Sequence, residues 1–488
     1  MDRRISQIGL MFLVLFGALF VQLNYLQVFH AKALATAPGN IRQVVGAFSL
    51  PRGPILTADG KVIAESTPVN DVYHYLRTYP GGSLYGDITG YYSIDYGATG
   101  LESSYNSYLK GHIPPITSLS GLLNSGYVTD SLTTTISSKL QQVASDALGT
   151  KKGAVVVIQP STGAILAMVS HPGYDPSPLA SHSGTVEQSA WQSLTSNPSQ
   201  PLLNRAIARA YPPGSTFKIV TTSAIYDHDP SIATINFPPV SQISLPLTTN
   251  KLHNYAYESC GGMVPELLKV SCDTGYAQIG IKLGAHNLST EANAFGFNQV
   301  PPIDIPGAAA SNFPVASFFN QNLPQLAYSA IGQGNVNATA LQMALVGAGV
   351  ANGGLIMTPH LMYQIRNYQD QVIVQYQPKV WLQATSSATA QVVTSEMVGV
   401  VQGGTAAGIA IPGISIAAKT GTAQTTLGIG STISGSDNWM VAFAPANNPT
   451  IAIAVVVPKQ AGLTGIQTGA SEAGPVVKSV LEAALAAG

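Results

Sequence analysis

The chain begins with a charged tail, Met1 to Arg4, and then turns apolar from Ile5 to about Phe29, with no charge between Ile8 and Val21. About 20 apolar residues suffice to cross a bilayer. A cleaved signal sequence has a shorter apolar region, roughly 7–15 residues. The pattern therefore predicts an uncleaved membrane anchor over residues 5–29. Arg3 and Arg4 place the tail, residues 1–4, in the cytoplasm by positive-inside bias. The rest of the chain is then a soluble body outside the membrane. Ala31-Lys32-Ala33 and Ala33-Leu34-Ala35 keep signal-peptide cleavage as the rival reading.

From about residue 30 to 148 the pattern is of short strand-like runs rich in Tyr and Gly. Pro51 to Leu56 reads as a turn into a strand, and Asp59-Gly60 as a hairpin before Lys61 to Ala64. Thr133 to Leu148 has helical spacing, with Ile136, Leu140, Val143, Ala144 and Leu148 on one side. Tyr91-Tyr92 reads as packing rather than a stacking platform. Beyond residue 149 the runs lengthen. Ala154 to Ile158 is a buried strand, and Ala164 to Val169 its antiparallel partner across the Pro160–Gly163 turn. Ile414 to Thr422, Trp439 to Ala444 and Thr450 to Val457 are strands near the other end. Helical stretches lie between, at Phe217 to Tyr226, Glu266 to Leu283 and Ala338 to Ala351, and Glu472 to Ala487 closes the chain. Strands near both ends with helices between them predict an α+β domain whose sheet draws on both.

Composition narrows the function classes. Only 9% of the 488 residues are charged, and the formal net charge is −1. A basic nucleic-acid binder and a highly charged disordered chain are both excluded. With only 22 Lys and Arg and 9 His, little self-repulsion builds up in acid, which suggests an acidic exterior; lineage-specific composition is the plainer account. The two cysteines, Cys260 and Cys272, lack metal-ligand spacing. In an oxidising compartment they read as one disulfide, otherwise as two free thiols.

Three motifs carry candidate chemistry. Tyr211-Pro212-Pro213-Gly214 stops the chain before Ser215-Thr216-Phe217-Lys218, where a helix can begin. Ser215 and Lys218 then share one helical face. A serine hydroxyl needs a neighbouring base, and a lysine with a depressed pKa can be that base. Lys419-Thr420-Gly421-Thr422 ends a strand, where a glycine admits close backbone approach and a lysine and hydroxyls can hold a carboxylate. Ser271-Cys272-Asp273 interrupts the helical stretch from Glu266. Alone, S-x-x-K and K-T-G are weak signals, an ordinary helix start and strand end. Their order with Ser271 between them marks penicilloyl serine transferases.

The chain resembles the class B penicillin-binding proteins over nearly its whole length. Asn204-Arg205-Ala206, Arg52-Gly53, Gly100-Leu101-Glu102 and Ile331 to Gly334 are similar to further family motifs. The resemblance implies a transmembrane helix, a mixed pedestal domain over residues 30–148 and a transpeptidase domain over residues 149–488 with an antiparallel sheet flanked by helices. It implies that Ser215 is acylated, Lys218 is its base and Ser271 relays a proton. Asp273, Lys419, Thr420, Gly421 and Thr422 bind substrate, and the backbone N–H groups of Ser215 and Thr422 form the oxyanion hole. The implied substrates are peptidoglycan stem peptides ending in D-Ala-D-Ala, with β-lactams as inhibitors and no cofactor, metal or nucleic acid. A membrane glycosyltransferase of the division or elongation machinery is the implied partner. The family has Asn where this chain has Asp273. An ionised Asp accepts hydrogen bonds only and holds the lysine protonated, whereas a protonated one resembles the amide. This opens an alternative, a catalytically weak penicillin-binding scaffold or sensor of the division machinery.

Overall fold

The computed structural model describes residues 2–29, 41–113, 126–426, 433–460 and 467–486. Both cleavage-site sequences between Ala31 and Ala35 lie outside the described residues. Two compact units emerge, residues 1–51 with 67–76, and residues 52–66 with 77–488.

The first unit contains helix α1, Asp2–Val28. Its stretch Arg3–Val28 is long and apolar enough to cross a membrane, and none of it is buried. Phe12, Leu13, Phe16 and Phe20 are all more than half exposed.

The second unit is built on two sheets. The larger run of apolar strands forms an antiparallel sheet of five, from β5 (Gly153–Ile158), β6 (Ile165–His171), β9 (Ala417–Thr426), β10 (Ile433–Ala444) and β11 (Ile451–Val457). Their order is β9-β10-β11-β5-β6, so strands from both ends of the domain meet in one sheet. Val155 pairs with Val169 on one side and Val455 on the other. Both faces of β5 and β11 are buried, which is why their sequences are continuous rather than alternating. Helix α6 (Ala340–Ala351), apolar all round, packs on this sheet, as does α8 (Gly474–Leu485). This arrangement is the α+β fold expected from the pattern.

The other sheet has six strands. It takes β1 (Ile55–Leu56), β2 (Val62–Pro68), β3 (Tyr75–Thr78) and β4 (Ser131–Thr134) from the N-terminal half, with the end of β2 and the start of β3 falling in residues 67–76 of the first unit. It also takes β7 (Met362–Arg366) and β8 (Val372–Gln375), giving the order β8-β7-β4-β1-β2-β3. The hairpin β7–β8 was not foreseen. It crosses the expected boundary at residue 149, because β7 pairs antiparallel with β4, Ile365 opposite Leu132. The expected helix over Thr133 to Leu148 starts later. Thr133 and Thr134 end β4, and Ser137 caps α2 (Ser138–Leu148) by accepting from the Leu140 N–H. Tyr91 is buried against Tyr174 and Leu179, with Trp191 edge-on, so that residue packs as expected.

Candidate active site

The turn before Ser215 is held against the strand that carries Lys419. Trp439 on β10 donates its indole N–H to the Pro212 carbonyl at 2.8 Å. Gly214 has φ +52°, a left-handed conformation that favours glycine. Across from it, a Cβ on Gly421 would lie 2.6 Å from the Pro213 oxygen, so only glycine lets the turn pack on β9. Residues Gly214–Phe217 form a 3-10 turn, and the α-helix α3 (Lys218–His228) starts at the lysine rather than at Ser215.

The Glu266 to Leu283 stretch is two helices. α4 (Val264–Lys269) ends at the break, and α5 (Asp273–Ala294) restarts after it. Ser271 sits in the break at φ +60°, an uncommon conformation for a residue with a Cβ. Cys272 is bonded to Cys260, with Cα atoms 5.8 Å apart. Asn254 ties the same corner, accepting from the Thr274 N–H at 2.9 Å and donating to the Val240 and Glu258 carbonyls. Strain at Ser271 is therefore held by a covalent bond and by main-chain hydrogen bonds.

The side chains converge. Lys218 and Lys419 are both fully buried. Lys218 Nζ donates to Asp273 Oδ1 at 2.7 Å and to the Ser271 carbonyl at 2.8 Å, and it lies 3.4 Å from Ser271 Oγ. Lys419 Nζ donates to Ser271 Oγ at 2.7 Å. Ser215 Oγ makes a long contact, 3.5 Å, with Asp273 Oδ1. Thr420 Oγ1 pairs with Thr405 Oγ1 at 2.6 Å, and Thr422 Oγ1 accepts from the Gly469 N–H at 3.1 Å. Burial pushes the Lys218 ammonium below its usual range, against the opposing pull of Asp273. Lys419 is pushed down further, by burial and by repulsion from Lys218. Two buried lysines with one carboxylate, bonded to Lys218 alone, cannot both stay charged at low cost. A free amine beside a serine is what nucleophile activation needs. The cleft in front of them, about 820 Å³, is lined by Ser215, Ser271, Asp273, Thr420, Thr422 and Tyr255 among others.

Residues 153–482 match the profile of the penicillin binding protein transpeptidase domain, and residues 52–119 that of the penicillin binding protein A dimerisation domain. The chain belongs to the penicillin-binding protein transpeptidases. It is 36% identical to the peptidoglycan D,D-transpeptidase PbpA of Mycobacterium tuberculosis over 99% of both chains. It is 35% identical to PbpA of Mycolicibacterium smegmatis over the full length of both. Among solved structures, the ceftriaxone acyl-enzyme complex of penicillin-binding protein A from M. tuberculosis superposes with a TM-score of 0.81 at 35% identity, covering 90% of this chain and 100% of that one.

Ser215, Lys218, Ser271, Asp273, Lys419, Thr420, Gly421 and Thr422 all lie in or beside this cleft. One expected pairing does not form. Lys218 bonds to Asp273 and Ser271 rather than to Ser215, because the carboxylate offers the stronger, charge-assisted acceptor. Several neighbours escaped sequence reasoning. Thr405 and Thr468 approach from distant loops and carry no local signal. Tyr276 was legible in principle. It follows Asp273 by three positions and so shares that residue's helical face.

Proposed function

We propose that this penicillin-binding protein is a membrane-anchored peptidoglycan D,D-transpeptidase that works through an ester on Ser215, and that β-lactams inhibit it by forming the corresponding adduct. The observation that carries the reading is the convergence of two buried lysines on Ser271, beside a serine that opens onto a cleft. In the first half-reaction neutral Lys218 takes the Ser215 hydroxyl proton, and Oγ bonds to the carbonyl carbon of the penultimate D-Ala. The bond to the terminal D-Ala nitrogen breaks, and that nitrogen recovers a proton through Ser271. In the second, an amine of a neighbouring stem loses a proton to Lys218 and attacks the ester, forming the cross-link and freeing Ser215. Lys419, Thr420 and Thr422 hold the substrate carboxylate, while the space that the resemblance assigned to substrate at Gly421 is taken by the Pro213 turn. The N–H groups of Ser215 and Thr422 face the developing oxyanion.

Helix α1 is the single-pass anchor, with the catalytic body outside the cell membrane. Residues 30–148 serve as the pedestal, and a membrane glycosyltransferase of the division or elongation machinery supplies the glycan strands. The 2.7 Å Lys218–Asp273 ion pair favours a second reading, a weak catalyst at neutral pH that acts as a penicillin-binding scaffold or sensor. Intact-protein mass spectrometry after penicillin G exposure should show one adduct on the peptide containing Ser215. An adduct that persists in Ser215→Ala would overturn the assignment. Release of D-Ala with transfer to an amine acceptor, using a synthetic stem pentapeptide, separates the enzyme from the scaffold.

A further inference from the structure

Behind the catalytic lysine lies an aromatic ring with no assigned role. Tyr276, on α5 one turn after Asp273, is fully buried. Lys218 Nζ stands over its ring, 5.2 Å from the centroid. The tyrosine hydroxyl bonds to Thr222 Oγ1 at 2.7 Å, and Thr222 Oγ1 donates to the main-chain carbonyl of Lys218 at 2.6 Å. The lysine is therefore gripped at both ends, its ammonium by the ring face and its backbone by the hydroxyl through Thr222. One helix face presents both Asp273 and Tyr276 to the same nitrogen.

We propose that Tyr276 is a positioning residue for Lys218, its ring face steadying the ammonium that forms when the lysine takes the Ser215 proton and its hydroxyl fixing the lysine's helix turn. The proposal rests on the acyl-enzyme reading above. The physical reason is the poverty of other support. Taking up a proton in a dry site is costly unless something compensates. Asp273 compensates from one side, and its side chain is 19% exposed. Lys419 on β9 repels. Glu396 on α7 (Ser387–Gly403) acts on the Tyr276 phenol rather than on the lysine, and one of its oxygens accepts from the Tyr226 hydroxyl. The tyrosine ring offers the negative face of its quadrupole and makes no demand for a proton of its own. Burial, with Glu396 adding, pushes the Tyr276 phenol well above its usual range, so it remains a neutral ring.

The test grades the ring's charge without changing its shape. Tyr276 is replaced by Phe and then by phenylalanines carrying one, two, three and five fluorines, introduced by codon suppression in the full-length protein. The second-order acylation rate by a fluorescent penicillin is measured across pH. Because the base is the neutral amine, the acid limb of the profile reports the coupled Lys218 and Lys419 protons, and a change at the Tyr276 ring reaches it through Lys218. Phe, which keeps the ring face, should leave that limb in place within a few tenths of a pH unit. Fluorination should move it steadily downwards, by about half to one pH unit at five fluorines. Tyr276→Leu should show the same downward shift with an acylation rate about tenfold lower from lost positioning. An acid limb that stays fixed across the fluorine series overturns the proposal, as does a shift in Phe as large as in Leu, which would assign the effect to the hydroxyl. Wild type and Ser215→Ala are run alongside. If wild type forms no Ser215-dependent adduct, the acyl-enzyme reading falls and this proposal with it; if it does and the series is flat, only the role of Tyr276 falls.

Discussion

Two buried clusters in this molecule have the same formal charge and opposite character. In the six-stranded sheet region, Arg52 and Arg77 share the carboxylate of Glu102. In the cleft, Lys218 pairs with Asp273, and Lys419 stands beside them, bonded to Ser271 Oγ and the Thr420 carbonyl. Each has two cations for one anion, and each is removed from water. Arginine does not give up its proton in proteins, so the first cluster must satisfy the surplus charge where it lies. It does so with main-chain oxygens and a ring. Arg77 donates to the Arg52 and Gly53 carbonyls at 3.1 and 2.9 Å. Arg52 donates to the Glu102 carbonyl and to Asn106, and stands 4.1 Å from the Tyr92 ring centroid. Lysine can shed its proton, and burial pushes both ammonium groups in that direction, Lys419 further than Lys218. One cluster is a strut and the other, in the reading proposed above, holds a base; the choice of cation is what separates them.

The largest expected effect tests that choice directly. Lys218→Arg places a permanent cation beside Asp273 and, in the reading proposed above, removes the base. It should be as inert as Lys218→Ala, with acylation down by about three to six orders of magnitude. Retention of even a tenth of the wild-type acylation rate in Lys218→Arg would mean that charge, not basicity, is what the site needs. The matching change in the other cluster is Glu102→Gln, which strands two buried guanidinium groups. It should cost about 3–5 kcal/mol of stability, measured by denaturant unfolding, while penicillin labelling of the folded fraction is unchanged. Burial works to raise the Glu102 carboxyl, and Arg77 and Arg52 outweigh it, so its pKa is lowered. Its contribution is therefore present above the unfolded carboxyl value of about 4.3 and disappears as pH falls through the lower folded value. The stability difference between wild type and Glu102→Gln should shrink in that acid range; a constant difference down to about pH 2 would show that proton linkage at Glu102 is absent.

The contrast also shows what sequence can carry. The cleft was legible because its chemistry is packed into short motifs, each marked by a local device such as Pro-Pro-Gly before Ser215 or the break at Ser271. The central sheet was legible because β5 and β11 are apolar runs that no exposed segment would need. The arginine cluster was not, although Arg52-Gly53 and Gly100-Leu101-Glu102 stood out individually. Nothing local says that residues 50 positions apart form an ion pair. The hairpin β7–β8 was missed for a related reason. Its strands are five and four residues long, the second largely exposed, and β7 is fixed in the sheet by pairing with β4 rather than by an alternating pattern of its own. The start of α3 at Lys218 was misplaced by one turn because a 3-10 turn has no separate signature in the sequence.

A smaller effect should follow from opening the Cys260–Cys272 bond. The loop it closes is 12 residues in sequence separation. A loop of that size contributes roughly 3 kcal/mol in the chain-entropy model. The bond also anchors the corner where Ser271 holds its left-handed backbone. Replacing both cysteines by serine should therefore lower the acylation rate as well as the melting temperature. The Arg52–Glu102 cluster has no covalent support, so reductant should leave it intact. A double variant that melts earlier but acylates at the wild-type rate would confine the bond to global stability and separate it from the geometry of Ser271.

The smallest expected change concerns Asp273, the residue that makes the two clusters formally alike. Its carboxylate raises the Lys218 pKa against the larger lowering by burial. An amide in its place removes that support for the ammonium. Asp273→Asn should therefore move the acid limb of the acylation profile to lower pH, by about one unit for a single close opposite charge. Near neutral pH, if the limb lies there, the rate should rise by up to about tenfold, since one pH unit is one decade along the limb. The amide also restores a donor that an ionised carboxylate lacks, and that change acts in the same direction. The rate is measured for both forms across roughly pH 3 to 8, a span chosen to cover the ordinary carboxyl range and neutrality. Coincident profiles would show that the 2.7 Å ion pair has no hold on the base. A loss at every pH in Asp273→Asn would mean the carboxylate is itself required, for instance to keep Lys218 Nζ near Ser271. In that case the cleft would be closer to the arginine cluster than its chemistry suggests, a set of charges held in place by pairing.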